Sequence, residues 1–145
     1  NFENTLQRLL EMGALPVINE NDTVATDEIV IGDNDTLAAI VAQSVRADLL
    51  VLLSDIDGLY TADPHKDKDA KIIPLVQEMT EAVLALGGGS ASSQGTGGMG
   101  TKLQAAKICM DCGCEMVIAN GANPENLYGI LDGEHIGTRF RRDQL

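Results

Sequence analysis

Apolar positions along the chain change repeatedly between the spacing of a helix and the uninterrupted runs of a buried strand. Such runs are typical of strands covered on both faces, whereas a spacing of three or four residues is typical of a helix with one apolar face. The predicted helices cover residues 2–10, 36–45, 81–86 and 101–112, and the predicted strands cover residues 14–18, 49–53, 72–76, 115–119 and 136–140. This alternation predicts an α/β fold, a three-layer αβα sandwich around a mainly parallel sheet.

Local signals refine these predictions. Gly13 is the expected end of the first helix, and Pro74 weakens the strand at residues 72–76 because proline lacks a backbone N–H. The run at residues 49–53 is expected to be covered by helices on both faces. The residues of the second helix that are predicted to face inward are Leu37, Ile40, Val41 and Val45.

The most informative segment is glycine-rich, covers residues 95–100 and leads through Thr101 and Lys102 into a helical pattern. Thr101 is predicted to be the N-cap of that helix. Unpaired N–H groups at the start of a helix, next to a lysine, form the kind of site that binds a polyphosphate. A flexible surface linker is the alternative, because segments rich in glycine and serine are usually linkers.

Two common phosphate motifs nearly match this segment and are discounted. Gly95, Gly97 and Gly100 satisfy G-x-G-x-x-G, but a dinucleotide-binding fingerprint follows a buried strand, whereas residues 90–94 are small and polar. The Walker pattern requires lysine before serine or threonine, and here the order is reversed. The segment is therefore predicted to be a phosphate loop of another lineage.

Polar residues follow three of the predicted strands directly. They occupy residues 19–22, 54–58 and 120–121, and a further acidic group at residues 33–35 precedes the second helix. Ligands of parallel sheets bind at the carboxyl ends of the strands, so these groups outline a cleft opposite the glycine-rich segment. The alternative is that asparagine, aspartate and glycine serve only as turn and capping residues.

A formal net charge of −12 and an aromatic content of 3% limit the possible partners. Nucleic acids and anionic membranes require clustered lysine and arginine, so neither is predicted as a partner. No apolar run is long enough to span a membrane and no signal-peptide pattern is present, which predicts an intracellular protein. The opening Asn1, in place of an initiator methionine, predicts that the chain begins inside a longer protein.

Three cysteines, Cys109, Cys112 and Cys114, form a C-x-x-C-x-C motif. Three thiolates hold zinc only with a fourth ligand, but there is no second cysteine pair, and His65 and His135 lie far away in sequence. Cys109 and Cys112 are therefore predicted to be small buried residues on the apolar face of the helix, with a metal or redox site as the alternative. The odd cysteine count fits a reducing cytoplasm.

Four ordered motifs carry a family resemblance: V-I-N-E-N-D at residues 17–22, G-D-N-D at 32–35, S-D-I-D-G-L-Y-T-A-D-P at 54–64 and G-T-G-G-M-G-T-K-L-Q-A-A at 95–106. Together they resemble the amino acid kinase family over residues 1–140. The second and fourth motifs point to the branch of that family that phosphorylates the γ-carboxylate of L-glutamate. Kinases of acetylglutamate, aspartate, carbamate and UMP share the general plan.

The resemblance implies roles for five residues on the acceptor side and in catalysis. Asp22 and Asn34 match positions that bind L-glutamate, and Asp33 is expected to contact its amino group. Asp35 matches an aspartate that orients the catalytic lysines. Lys102 matches a lysine that stabilises the phosphoryl group during transfer.

The resemblance also implies an ATP site. Ser54 and Asp55 match a pair that contacts ATP, although the family more often has threonine in place of the serine. ATP, accompanied by Mg²⁺, is then the phosphoryl donor, and no residue is assigned as a metal ligand. The loop expected to bind ATP consists of Thr96, Gly97, Gly98, Met99, Gly100 (where a close relative has serine), Thr101 and Lys102.

The family further implies a cytoplasmic homo-oligomer that serves proline synthesis and is inhibited by proline. Its kinase domain carries an earlier strand with a second catalytic lysine, a glycine turn for the phosphates and a serine that contacts glutamate. Residues 1–145 are therefore expected to be the C-terminal part of the kinase domain, and to be weakly active or inactive alone. They do not include the RNA-modification-type domain that follows in many bacterial members.

Two other functions stay open on the sequence. One is a non-catalytic fragment that binds a nucleotide or an amino acid, and the other is a kinase of a related acceptor such as N-acetylglutamate. Retention of Asp35 and Lys102 favours descent from an active enzyme. A coupled assay of ADP release separates these possibilities.

Overall fold

Helices and strands alternate along the chain, and the computed structural model describes residues 1–19, 34–88 and 98–143. The prediction of an α/β fold is confirmed. Within the described ranges, no helix is both long and apolar enough to cross a membrane. The helices are α1 (Phe2–Glu11), α2 (Asn34–Ser44), α3 (Glu81–Ala85), α4 (Met99–Asp111) and α5 (Asn126–Leu131), and the strands are β1 (Leu49–Ser54), β2 (Leu75–Val76), β3 (Glu115–Asn120) and β4 (Thr138–Phe140).

The four described strands form one sheet in the order β1-β3-β4-β2. β1 and β3 are parallel, with Leu49 opposite Glu115 and Ser54 opposite Asn120. β2 and β4 are also parallel, whereas β4 runs antiparallel to β3. The prediction of a mainly parallel sheet is therefore confirmed, and the carboxyl ends of β1 and β3 lie side by side.

Helices pack on both faces of this sheet, because successive side chains of a strand point to opposite sides. Met116 and Ile118 of β3 belong to the larger apolar cluster, which contains residues of α2 and α4. Val117 and Ala119 of the same strand pack with Ile130 of α5 on the other face. The layers are thus helix, sheet and helix.

α2 packs against α4 mainly through small side chains, and its predicted inward face is confirmed only at Leu37. Ile40, Val41 and Val45 are only half-buried, whereas Ala39 is fully buried. Alanine lets two helix backbones approach closely, and the facing side of α4 carries Ala105 and Ala106, which are also fully buried. The residues of α2 that the structure buries are Leu37, Ala39 and Ala42.

α4 begins earlier than predicted, and Thr101 is not its N-cap. The helix begins at Met99, and Gly98 takes the N-cap position in the left-handed conformation, with φ +78°. That φ is readily available to glycine because glycine has no Cβ. Thr101 therefore lies in the first helical turn, where its hydroxyl is 2.7 Å from the carbonyl oxygen of Gly98.

The C-x-x-C-x-C motif closes the other end of α4. The N–H of Cys114 donates to the carbonyl of Cys109 and that of Gly113 to Met110, at 2.9 and 3.3 Å, which is a Schellman motif. Cys109 and Cys114 take the two positions whose side chains commonly touch in this motif, and both are buried. The prediction is thus right for Cys109 and wrong for Cys112, which is exposed because it occupies the cap position.

The predicted strand at residues 14–18 is not a strand in this structure. The segment carries no regular secondary structure, and Leu15 and Val17 are 87% and 89% exposed. An apolar run becomes a strand only when a neighbouring strand pairs with its backbone. Among the residues described, no strand pairs with this segment.

Three smaller differences have packing reasons. β1 is the outermost strand at one side of the four described strands, and the 44% exposure of Leu53 shows that it is not covered on both faces along its whole length. Pro74 restricts β2 to the two residues that follow it. α5 was not predicted, because its six residues include Gly129 and leave Tyr128 and Leu131 exposed.

Candidate active site at the ends of β1 and β3 and the start of α4

The polar residues that follow β1 and β3 meet at one edge of the sheet. Ser54 and Asn120 are opposite each other in the parallel register. The side-chain amide of Asn120 donates to Asp57 at 2.9 Å, and the N–H of Gly121 donates to the carbonyl of Ser54 at 2.7 Å. The prediction that these two polar groups lie together is confirmed. The group at residues 19–22 lies mostly outside the described residues.

The loop after β1 is held in place by hydrogen bonds at several points. The Ser54 hydroxyl donates to the carboxylate of Asp55 at 3.2 Å, and the Tyr60 hydroxyl donates to Asp57 at 3.3 Å. Burial and the neighbouring Asp57 carboxylate raise the pKa of Tyr60, so its hydroxyl remains a donor at neutral pH. Farther along, the N–H of Leu59 donates to the buried Thr138 hydroxyl at 2.8 Å.

A cavity of about 220 Å³ opens between this loop and the start of α4. Its walls are mainly apolar, and Tyr60 contributes an aromatic ring. Met99, the first residue of α4 and a member of the predicted ATP loop, lines this cavity. The lining residues are Ile56, Gly58, Leu59, Tyr60, Ala62, Asp63, Pro64, His65, Leu86 and Met99.

The first turns of α2 and α4 are joined by an ion pair. The Lys102 ammonium is 3.1 Å from Oδ2 of Asp35, and their side chains are only 10% and 21% exposed. The Thr101 hydroxyl lies 2.9 Å from the same carboxylate oxygen. The sequence separations are 67 and 66 residues, so only the packing of the two helices brings these groups together.

The positions of these two charges have opposite effects on their helices. Asp35 is in the first turn of α2, where a carboxylate is stabilised by the positive end of the helix dipole. Lys102 is in the first turn of α4, where an ammonium group is destabilised by the same dipole end. A buried lysine at that position makes the start of α4 strongly attractive to an anion, while Asp35 offsets part of the charge.

Gly100 has a packing role in addition to its predicted place in the ATP loop. A Cβ on Gly87 would lie 2.9 Å from the Cα of Gly100, and a Cβ on Gly100 would lie 3.3 Å from the carbonyl oxygen of Gly87. The end of α3 and the first turn of α4 therefore approach backbone to backbone. Small residues at both positions permit this approach.

The remaining predicted site residues are placed as follows. Asn34 is the first residue of α2 and is exposed, and Ser54 and Asp55 lie at and just after the end of β1. Gly98 and Met99 begin α4. The residues that lie outside the described ranges are Asp22, Asp33, Thr96 and Gly97.

Sequence reasoning gave Asp57 and Asn120 no specific role, although it placed both in polar groups at strand ends. Their hydrogen bond links the two loops that follow β1 and β3. The signal for it was the predicted parallel sheet, in which the carboxyl ends of the strands lie at the same edge. Which two side chains bond to each other is determined by the register of β1 and β3, and the sequence alone does not give that register.

The three cysteines lie at the opposite end of α4 from Lys102. Burial, together with the neighbouring thiols of Cys114 and Cys112, raises the pKa of Cys109 to about 12, and burial also raises the pKa of Cys114. Both thiols therefore stay neutral near pH 7, which disfavours metal ligation or nucleophilic attack by these two residues. In the part of the chain that the structure describes, no group of three histidine, cysteine, aspartate or glutamate side chains is arranged to hold a metal ion.

Comparison with known proteins agrees with the motifs. The chain is 56% identical over 140 residues to a glutamate 5-kinase of Caldanaerobacter subterraneus, an alignment that covers 97% of this chain and 38% of the relative. It is 59% identical over 133 residues to a glutamate 5-kinase of Paramagnetospirillum magneticum, which covers 92% of this chain and 36% of the relative. The chain thus spans little more than a third of the length of the curated relatives it matches.

Solved structures agree on the fold. UMP kinase from Bacillus anthracis superposes with a TM-score of 0.67 and 19% identity, covering 98% of this chain and 52% of that one. The family model described as the amino acid kinase family matches residues 1–120. The resemblance carried by the four motifs is therefore confirmed, and the chain belongs to the amino acid kinase family.

Proposed function

We propose that this chain supplies the nucleotide side and part of the acceptor side of an enzyme that transfers the γ-phosphate of ATP to the γ-carboxylate of L-glutamate. The observation that carries the proposal is the buried Lys102–Asp35 pair at the starts of two packed helices. The 53–59% identity to glutamate 5-kinases supports this choice of acceptor within the family. The activity would belong to proline biosynthesis.

The start of α4 suits the phosphates of ATP. Its first N–H groups and the Lys102 ammonium both attract anionic oxygens. The cavity beside Met99, with its apolar walls and the Tyr60 ring, suits a flat base such as adenine. Ser54 and Asp55, at the end of β1, complete the proposed nucleotide side together with Gly98, Gly100 and Thr101.

Mg²⁺ would enter this site with ATP as part of the substrate. The described residues contain no dedicated group of metal ligands, and Mg²⁺ in kinase sites is held largely by phosphate oxygens and water. The bound ion neutralises charge on the phosphates. The role of this chain's residues is to position that complex against the acceptor.

The acceptor side is proposed to begin at Asn34, the first residue of α2 and the neighbour of Asp35. A γ-carboxylate is already ionised near neutral pH, so its attack on phosphorus requires no general base. The carboxylate requires alignment with the phosphorus atom, and a hydrogen-bond donor that leaves its negative charge available for the attack. The neutral amide of Asn34 is such a donor, and Asp22 and Asp33 are proposed to contact the rest of the amino acid.

Catalysis would then depend on positioning and on charge stabilisation. The three equatorial oxygens of the transferred group carry the developing charge, and Lys102 is proposed to contact them. Asp35 holds the ammonium at 3.1 Å, so the lysine need not be ordered when the substrate binds. A homo-oligomeric state, inhibition by proline and a cytoplasmic location belong to the same proposal and are supported by the family resemblance.

An assay of ADP release coupled to NADH oxidation tests this function. The complete protein that carries this chain is expected to release ADP only when ATP, Mg²⁺ and L-glutamate are all present, and the chain alone is expected to be weakly active or inactive. N-acetyl-L-glutamate serves as the matched acceptor. Release with that acceptor and not with L-glutamate would assign a related kinase, and release with neither would favour a non-catalytic binding protein.

Asn34→Ala in the complete protein is expected to raise the KM for L-glutamate about 10-fold to 100-fold, the factor for one lost hydrogen bond to a charged group. The KM for ATP is expected to change less than about 2-fold, because Asn34 begins α2 and not α4. Steady-state kinetics with each substrate varied in turn measures both. Asn4→Ala, an exposed asparagine of α1, is the control. An equal loss of ATP affinity would contradict the acceptor assignment.

A further inference from the structure

Two donor groups of the active site converge on a single carboxylate oxygen of Asp35. Oδ2 of Asp35 is 3.1 Å from the Lys102 ammonium and 2.9 Å from the Thr101 hydroxyl. Asp35 belongs to α2, and both of its partners belong to the first turn of α4. The hydroxyl is therefore a second, uncharged link between the two helices at the place where Lys102 is held.

The Thr101 hydroxyl has one hydrogen and two acceptors within reach. The carbonyl oxygen of Gly98 is 2.7 Å away and Oδ2 of Asp35 is 2.9 Å away. The Gly98 carbonyl already accepts the backbone N–H of Lys102 at 3.3 Å, as part of the helix. An ionised carboxylate is also the stronger acceptor, which favours donation of the hydroxyl hydrogen to Asp35.

A threonine suits this task better than a flexible donor. Threonine has two common χ1 rotamers in a helix, and the 2.7 Å contact of its hydroxyl with the i−3 carbonyl oxygen of Gly98 selects one of them, which sets the direction of the hydroxyl. Lysine, by contrast, carries its ammonium on a four-carbon stem with many rotamers. Asp35 held by Lys102 alone could follow the ammonium into several arrangements, whereas the hydroxyl fixes the carboxylate and thus the lysine.

We propose that Thr101 is a positioning residue, which orients Asp35 through its hydroxyl and thereby places the Lys102 ammonium for phosphoryl transfer. The inference rests on the proposed function and assigns Thr101 a task distinct from contact with ATP. It requires the hydroxyl and not the shape of the side chain. Valine has nearly the same shape without a donor, and serine keeps the donor.

The test compares Thr101→Val and Thr101→Ser in the complete protein, by steady-state assay of glutamate-dependent ADP release. Thr101→Val is expected to lower kcat about 10-fold to 100-fold, the factor for a hydrogen bond to a charged group, with both KM values within about 2-fold. Thr101→Ser is expected to retain kcat within about 3-fold. The matched control is Thr5→Val in α1, because the Thr5 hydroxyl donates to the backbone carbonyl of Asn1 at 3.1 Å and, within the described ranges, to no side chain.

Each outcome decides the inference. A Thr101→Val protein with the kcat of Thr5→Val would overturn it, since the hydroxyl would then serve only the helix backbone. A rise in the KM for ATP with unchanged kcat would also overturn it and assign Thr101 to direct ATP contact. If Thr101→Val fails to fold, Thr101→Ala takes its place, because alanine is the best helix former and also lacks the donor.

A double-mutant cycle provides the second measurement. If Thr101 acts through Asp35, adding Thr101→Val to Asp35→Asn is expected to lower kcat less than about 2-fold further, whereas full additivity would overturn the inference. Failure of the proposed function is distinguishable from failure of this inference. If the proposed function is wrong, the unsubstituted protein shows no glutamate-dependent ADP release. If only this inference is wrong, the unsubstituted protein releases ADP and Thr101→Val has the same kcat as Thr5→Val.

Discussion

Lys102→Ala in the complete protein is expected to lower kcat about 10²-fold to 10³-fold, while the KM for L-glutamate changes less than about 3-fold. The reason is that an ammonium group placed in advance against the transferring phosphoryl group contributes about 3–4 kcal/mol to the lowering of the barrier. An interaction made only in the transition state affects kcat and leaves substrate binding largely intact. Steady-state kinetics with each substrate varied measures both.

Lys107→Ala is the matched control for this prediction, because Lys107 is an exposed lysine of the same helix. Lys102→Met is a second variant, which keeps most of the buried stem and removes only the charge. Both Lys102 variants leave Asp35 without its cation, so thermal unfolding must accompany the kinetics. A folded Lys102→Met protein with near-normal kcat would remove Lys102 from catalysis.

Gly137→Ala is expected to destabilise the protein by about 4 kcal/mol or more, an exceptional loss for a single methyl group. Gly137 has φ +66°, and a Cβ there would lie 1.9 Å from the carbonyl oxygen of Ile118 in β3. It would also lie 3.2 Å from the carbonyl oxygen of Asp57 in the loop after β1. Both contacts are with backbone, which cannot rotate away as a side chain does.

Gly133→Ala separates the two causes of this effect. Gly133 has a similar φ of +84°, but a Cβ there would meet nothing within 4 Å. The control is therefore expected to cost only about 1–2 kcal/mol, the penalty of a left-handed conformation for a residue with a side chain. Urea unfolding followed by circular dichroism measures both variants. Equal losses of unfolding free energy in the two variants would show that the close approach of Gly137 to β3 does not contribute to stability.

Much of this architecture was predictable from local patterns. The runs that became β1 and β3 are mainly apolar, and the helices that became α1, α3 and α4 carry the apolar spacing of a helix. A buried strand or an amphipathic helix is encoded by consecutive residues, so its existence can be read without knowing its neighbours. The family could likewise be identified, because each of its four motifs is a short local segment.

Only the tertiary structure decided which groups meet. The apolar run at residues 14–18 has the pattern of a strand and forms none here, because strand formation depends on a partner that the run does not encode. The buried face of α2 is set by alanines that fit α4, and the N-cap of α4 is set by the conformation of Gly98. The sequence determined the elements and the chemistry of the site residues. The meeting of Asp35 with Thr101 and Lys102, across more than 60 residues, was decided by helix packing, since distance in space depends on contacts that no local pattern contains.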